Sequence, residues 1–256
     1  MLKKLFGWMS KKSDARSAKR RRDLQRRFLG AESLEDRRPM AADLRVGING
    51  SGNLIITDDQ VGTANNVITI RLVPATGMIQ VDSGTSGGGS AIAVNGTGSL
   101  FDADTVEVPY SFVTGQIIVT GAGGNDSLTI NYAGGNPLPA GGLSFDGGAG
   151  NDSLTSTGGT SGSVVVNYTS SSAGSIVQNS RTISYTNFDG ASSAVALNNV
   201  TDFYTFNLPG GVTNDNATMS GTTDTNGTLS SAVPTFVRTS FTQRDTTALT
   251  VNLGAS

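Results

Sequence analysis

The feature that most constrains this chain is a glycine-rich bend followed by a β-branched run, written twice. IIVTGAGGNDSLTI (117–130) aligns with LSFDGGAGNDSLTS (143–156), so that Asn125-Asp126-Ser127-Leu128-Thr129 returns 26 residues later as Asn151-Asp152-Ser153-Leu154-Thr155. A weaker copy lies upstream in LIITDDQVGTANNVITI (54–70), where Asn66 stands in the aspartate's place. The closing ALTVNLGAS aligns Leu249 with Leu143 and Gly254 with Gly148, and reads as the opening of a further copy. The sequence is therefore expected to be a fragment of a longer array. A unit of strand, bend and strand predicts coils stacked one strand spacing apart, about 4.8 Å. In such a stack Val119, Leu128, Phe145 and Leu154 point inward in rows.

Short β-branched runs recur along the body: Leu54–Thr57, Val67–Ile70, Gln116–Val119, Leu128–Ile130, Val164–Val166, Ile183–Tyr185 and Leu249–Val251. Gly- or Asn-rich turns flank most of them, the mark of strands. No window after residue 43 holds a helical period. The fold class expected is all-β: a parallel β-solenoid or β-helix-like repeat behind a basic, partly helical leader. β-sandwich modules remain the alternative, because they also place short strands at regular intervals. The chain divides into a leader over 1–42, degenerate β repeats over 43–115, a solenoid segment over 116–190, and an irregular β segment over 191–256.

Charge separates leader from body. Residues 1–40 carry 13 Lys/Arg against 5 Asp/Glu, whereas residues 41–256 carry 5 Arg, no Lys and 15 Asp/Glu. The leader reads as partly helical or disordered, with Gly30 and Pro39 as stops. Its apolar run Leu5–Met9 is too short for a secretory core or a membrane span, and no later segment is apolar for 18 residues. No transmembrane segment is expected. Arg20–Arg22 and Arg26-Arg27 could touch phosphates, but no base-reading module follows, so nucleic acid is not an expected partner. The run RRFLGAESLEDRRPMAA resembles the N-terminal "LEPR" signature of large exported proteins of planctomycete-type bacteria, through Glu32, Leu34, Glu35, Arg37, Arg38, Met40, Ala41 and Ala42. Pro39-Met40 stands where that pattern has Leu-Leu. The tract from Gly121 to Gly190 is similar to a module recurring in the same surface proteins. The resemblance implies an export-associated leader and a secreted or cell-surface body.

The chain has no histidine and no cysteine. That removes a Ser-His-Asp triad, a thiolate nucleophile and any imidazole or thiolate metal site. The remaining chemistry is oxygen chemistry. Gly147-Gly148-Ala149-Gly150-Asn151-Asp152-Ser153-Leu154-Thr155 fits G-G-x-G-x-D-x-U-x and resembles the calcium-binding nonapeptide of hemolysin-type (RTX) repeats. Gly121–Thr129 matches it with Ala122 in place of one glycine. Calcium takes 6–8 hard oxygens. The resemblance implies Asp126 and Asp152 as carboxylate ligands, with Gly121, Gly123, Gly147 and Gly148 as carbonyl donors. Asp146 is a further candidate, from its place beside the second loop. The competing reading needs no ion: stacked Asn125 and Asn151 would form a hydrogen-bonded ladder.

No carboxylate pair can be placed across a cleft from sequence, so no catalytic residue is expected. The function expected is a non-enzymatic, extracellular structural or adhesive scaffold, with Ca2+ and cell-surface or matrix components as partners. Two alternatives come from other classes. One is a carbohydrate-active β-helix enzyme, which a cleft with a carboxylate and an arginine would favour. The other is a nucleic-acid-binding arm.

Overall fold

A computed structural model describes residues 44–58, 64–84, 92–94, 96–102, 104–210, 217–223, 226–232, 235–242 and 248–253. The leader and its basic clusters lie outside these residues, as does Gly254. The described strands are β1 (Leu44–Ile48), β2 (Leu54–Asp58), β3 (Val67–Val73), β4 (Met78–Asp82), β5 (Ile92–Val94), β6 (Ser99–Leu100), β7 (Thr105–Pro109), β8 (Ile117–Thr120) and β9 (Ser127–Asn131). They continue with β10 (Leu143–Asp146), β11 (Ser153–Tyr168), β12 (Gly174–Gln178), β13 (Arg181–Thr186), β14 (Ala194–Asn207), β15 (Ala217–Thr223), β16 (Asn226–Ser231), β17 (Arg238–Thr242) and β18 (Ala248–Asn252). Apart from one short helical turn at Tyr110–Phe112 the described residues are all-β, and these strands join in one mixed sheet.

Alternation builds it. In β2, β8, β9 and β10 every second residue is buried. That is the period of a strand with one face on a core. Two lines of pairing result. In the first, β2, β8, β10 and β13 lie parallel, with Leu54 on Ile117, Ile117 on Leu143 and Leu143 on Ile183. In the second, β3, β9, β11, β14 and β17 lie parallel, with Ile68 on Leu128, Leu128 on Leu154, Leu154 on Val195 and Val195 on Thr239. Antiparallel partners flank these runs, namely β1 on β2, β4 on β3, β12 on β13, and β16 on β17.

The long strand β11 belongs to the second line and reaches the first only through β12, which pairs with β13, while β14 pairs with β11 on either side of a register shift. Residues 153–157 of β11 pair with β9, and residues 164–168 pair with β12. Between them the register shifts from Thr157 to Thr160, at Gly158-Gly159. Inward side chains from both lines form one core, in which Val119, Leu128, Phe145 and Leu154 are essentially inaccessible. Phe145 meets Phe188 edge to face at 5.5 Å. The parallel pairing does not stop at residue 190. Ala194–Leu197 lies on Ser153–Ser156, and Arg238–Phe241 lies on Ala194–Leu197, although neither carries a glycine repeat. Stacking is read by backbone groups and by the alternation of Val195 and Leu197, both of which persist there.

Candidate functional site: stacked bends with paired carboxylates

The two glycine bends join equivalent strands, Ile117–Thr120 to Ser127–Asn131 and Leu143–Asp146 to Ser153–Tyr168, and both flanking strands are paired in register. The bends therefore lie one on the other, and Gly123 and Ala149 bridge them in parallel fashion. The bend of residues 64–66 joins the stack on one side and that of residues 187–193 on the other.

Two ladders of side-chain hydrogen bonds hold these bends together. In the outer, exposed column the amide oxygen of Asn65 accepts the Asn125 N–H (2.6 Å), Asn125 Oδ1 accepts the Asn151 N–H (2.8 Å), and Asn151 Oδ1 accepts the Ser192 N–H (2.9 Å). In the inner, buried column the direction reverses. Asp126 Oδ1 accepts the Asn66 N–H (2.8 Å), Asp152 Oδ1 accepts the Asp126 N–H (2.9 Å), and Ser193 Oγ accepts the Asp152 N–H (2.9 Å). Each of the two glycine bends thus gives one acceptor forward and one backward. These contacts satisfy backbone donors that the curve of the chain leaves without ladder partners.

The inner column carries charge. Asp126 and Asp152 are each 1% exposed, and the second carboxylate oxygen, Oδ2, of each is buried with no hydrogen-bond partner. Burial pushes Asp126 up to about 7; the Asn66 N–H opposes this, while the carboxylates of Asp152 and Asp58 add to it. Asp152 is raised as well, first by burial, with the Asp126 N–H opposing and Asp189 and Asp146 adding to the rise. Two acidic groups in consecutive stacked bends thus lack part of their charge compensation.

The glycines make room for these oxygens. A Cβ on Gly121 would stand 2.2 Å from Asp126 Oδ2 and 2.6 Å from the Gly147 carbonyl oxygen, so a carboxylate oxygen and a carbonyl oxygen of the neighbouring bend both pack against Gly121. A Cβ on Gly147 would lie 2.5 Å from Asp152 Oδ2. The two carboxylates and the carbonyl are hard oxygen donors, the kind that calcium takes. Among the described residues no group of three or more Asp, Glu, His or Cys could hold a metal ion, so further protein donors would be carbonyls.

The other expected ligands fall differently. The Gly121 carbonyl accepts the Gly123 N–H at 2.9 Å, closing the bend. Gly123 itself serves the bridge to Ala149. Gly148, at φ 83°, packs against the Ala122 carbonyl. Asp146 is on the half-exposed face of β10, and its Oδ1 accepts from Gly148 N–H (3.2 Å) and Asn187 Nδ2 (2.7 Å). It braces the loop. Sequence reading missed Ser192 and Ser193, which continue the two columns. Their bend is one residue longer and carries a single glycine, Gly190, so no fixed spacing aligns it. The available signal was a polar pair standing directly before the alternating run Ala194–Leu197.

No family model matches the sequence, and no curated protein or solved structure is similar to it. Among the described residues no helix is long and apolar enough to cross a membrane.

Proposed function

We propose that this chain is a non-enzymatic β-solenoid scaffold of a secreted or cell-surface protein, in which calcium closes the stacked bends through Asp126 and Asp152. The observation that carries this reading is the pair of buried, unpartnered Oδ2 atoms in consecutive coils. Neither a turn nor an amide ladder requires them. The parallel register of bends and flanking strands favours coils over separate sandwiches. The resemblance to hemolysin-type nonapeptides points the same way. Asp126, Asp152 and the Gly147 carbonyl would hold the ion. Bound there, calcium supplies positive charge against two carboxylates whose solvation the fold has removed. In export, a body left loose at low calcium would tighten outside the cell. The leader's resemblance to an export signature supports that setting, and adhesive or matrix contacts are the role proposed for the surface.

The test is urea unfolding of the full chain, followed by far-UV circular dichroism, in chelator and in about 10 mM calcium. For a site with a Kd of about 10⁻⁴–10⁻³ M, calcium adds about 1.4–2.7 kcal/mol. Asp126→Asn/Asp152→Asn removes the calcium response while still folding. Identical midpoints with and without calcium in the wild type would leave the metal-free ladder as the right account.

A further inference from the structure

A second feature, independent of the paired carboxylates, is a polar cleft of about 420 Å³ between the bend of residues 187–193, the 169–173 turn, Ser230 and Ser231, and residues 236–238. The volume falls within the range of small-ligand sites, about 300–1,000 Å³. Its floor is rigid. Phe188 and Phe236 are buried, Phe188 packing on Phe145 and Tyr185, and Phe236 lying 4.8 Å from Tyr168. The Phe188 N–H is tied to the Ser172 carbonyl. Part of its rim is unengaged. Asp189 and Arg238 are both exposed and both line the cleft, and among the described residues no hydrogen bond or ion pair joins either side chain to a partner. The hydroxyls of Ser171 and Ser192 are equally unengaged.

We infer that this cleft binds a neutral saccharide. A carboxylate accepts from two adjacent sugar hydroxyls, and a guanidinium donates to two sugar oxygens. Each serine can do either. Opposite charges on one rim leave no net attraction for a simple ion, whereas a ligand that is donor and acceptor at every carbon uses both. The buried phenylalanines hold the walls without filling the space, so little ordering cost accompanies binding. The inference goes beyond the scaffold reading and needs no cation. It gives such a scaffold a means of holding a glycan.

Isothermal titration and saturation-transfer NMR of the full chain with cellotetraose, laminaritetraose and mannotetraose test it. At least one should bind saturably, with affinity kept in about 0.5 M NaCl, where simple charge attraction is screened. Asp189→Ala and Arg238→Ala should each weaken it roughly tenfold, the loss of one charge-assisted hydrogen bond. Phe203→Ala, on an exposed face away from the cleft lining, should leave it unchanged. Should either charge variant misfold by circular dichroism, Ser192→Phe fills the cleft and must abolish binding. No saturable binding of any of the three sugars, or affinity indifferent to all the cleft variants, overturns the inference.

Discussion

At the residue scale the site is a set of small conflicts held in place by their neighbours. Ala122 takes φ 65° where the equivalent position of the next bend has Gly148 at φ 83°. A Cβ in the left-handed region costs about 1–2 kcal/mol, and glycine's extra chain entropy returns part of it. Ala122→Gly should therefore raise stability by about 0.5–1 kcal/mol, measured as a higher urea midpoint. Asp126 offers a second check. A carboxyl whose folded pKa is about 7, above an unfolded value near 3.9, binds more protons folded than unfolded between those values. Its contribution is complete below about pH 4 and is lost as pH rises through 7. In chelator the urea midpoint should fall between pH 5 and pH 8. Asp126→Asn should flatten that fall, and calcium should offset it at pH 8. The repeated glycine bend and its aspartates were legible from spacing alone. That Asp146 turns outward to Asn187 was not, because strand alternation assigns a face only once the strand's end is known.

At the element scale the stack is registered by polar side chains as much as by apolar rows. The Asn column lies in water, whereas the Asp–Ser column is buried. Their last rungs should behave differently. Ser193→Ala leaves the Asp152 N–H buried without an acceptor and should cost about 1–3 kcal/mol. Ser192→Ala removes only an exposed hydroxyl, since the rung there uses the Ser192 backbone N–H, and should stay within about 0.5 kcal/mol. Denaturant titrations of the two variants compare them directly, and equal losses would mean that the inner column carries no special weight. A third series, from Asn167 through Asn207 to Asn252, links amides at 2.6 Å along β11, β14 and β18. Every β-branched run read from the sequence lies in or overlaps a strand. The pairing partners were readable only where a motif repeats. Ser192 and Ser193 share no motif with Asn151 and Asp152, and only stacking reveals the equivalence.

At the scale of the whole molecule, two lines of strands share one core, and β12 ties them by pairing with β11 on one side and β13 on the other. Unfolding one line must therefore disturb the other. Phe145→Ala removes a fully buried ring, should cost about 3–5 kcal/mol, and should lower one common transition. Tyrosine near-UV signal and far-UV dichroism should give coincident midpoints in wild type and variant; separate midpoints would mean independent units. Length, alternation and glycine spacing by themselves determined an all-β body, the inward rows and the superposition of two acidic bends, because those depend on periods of two residues and of one coil. Tertiary structure alone decided which partner each strand takes beyond the repeats, where the serines close the columns, and that Asp189 and Arg238 face one cleft. The parallel pairings and the closing serine rung among them bring together residues 40 or more positions apart. Nothing local in the chain encodes such a meeting, since it is set by how a shared core closes.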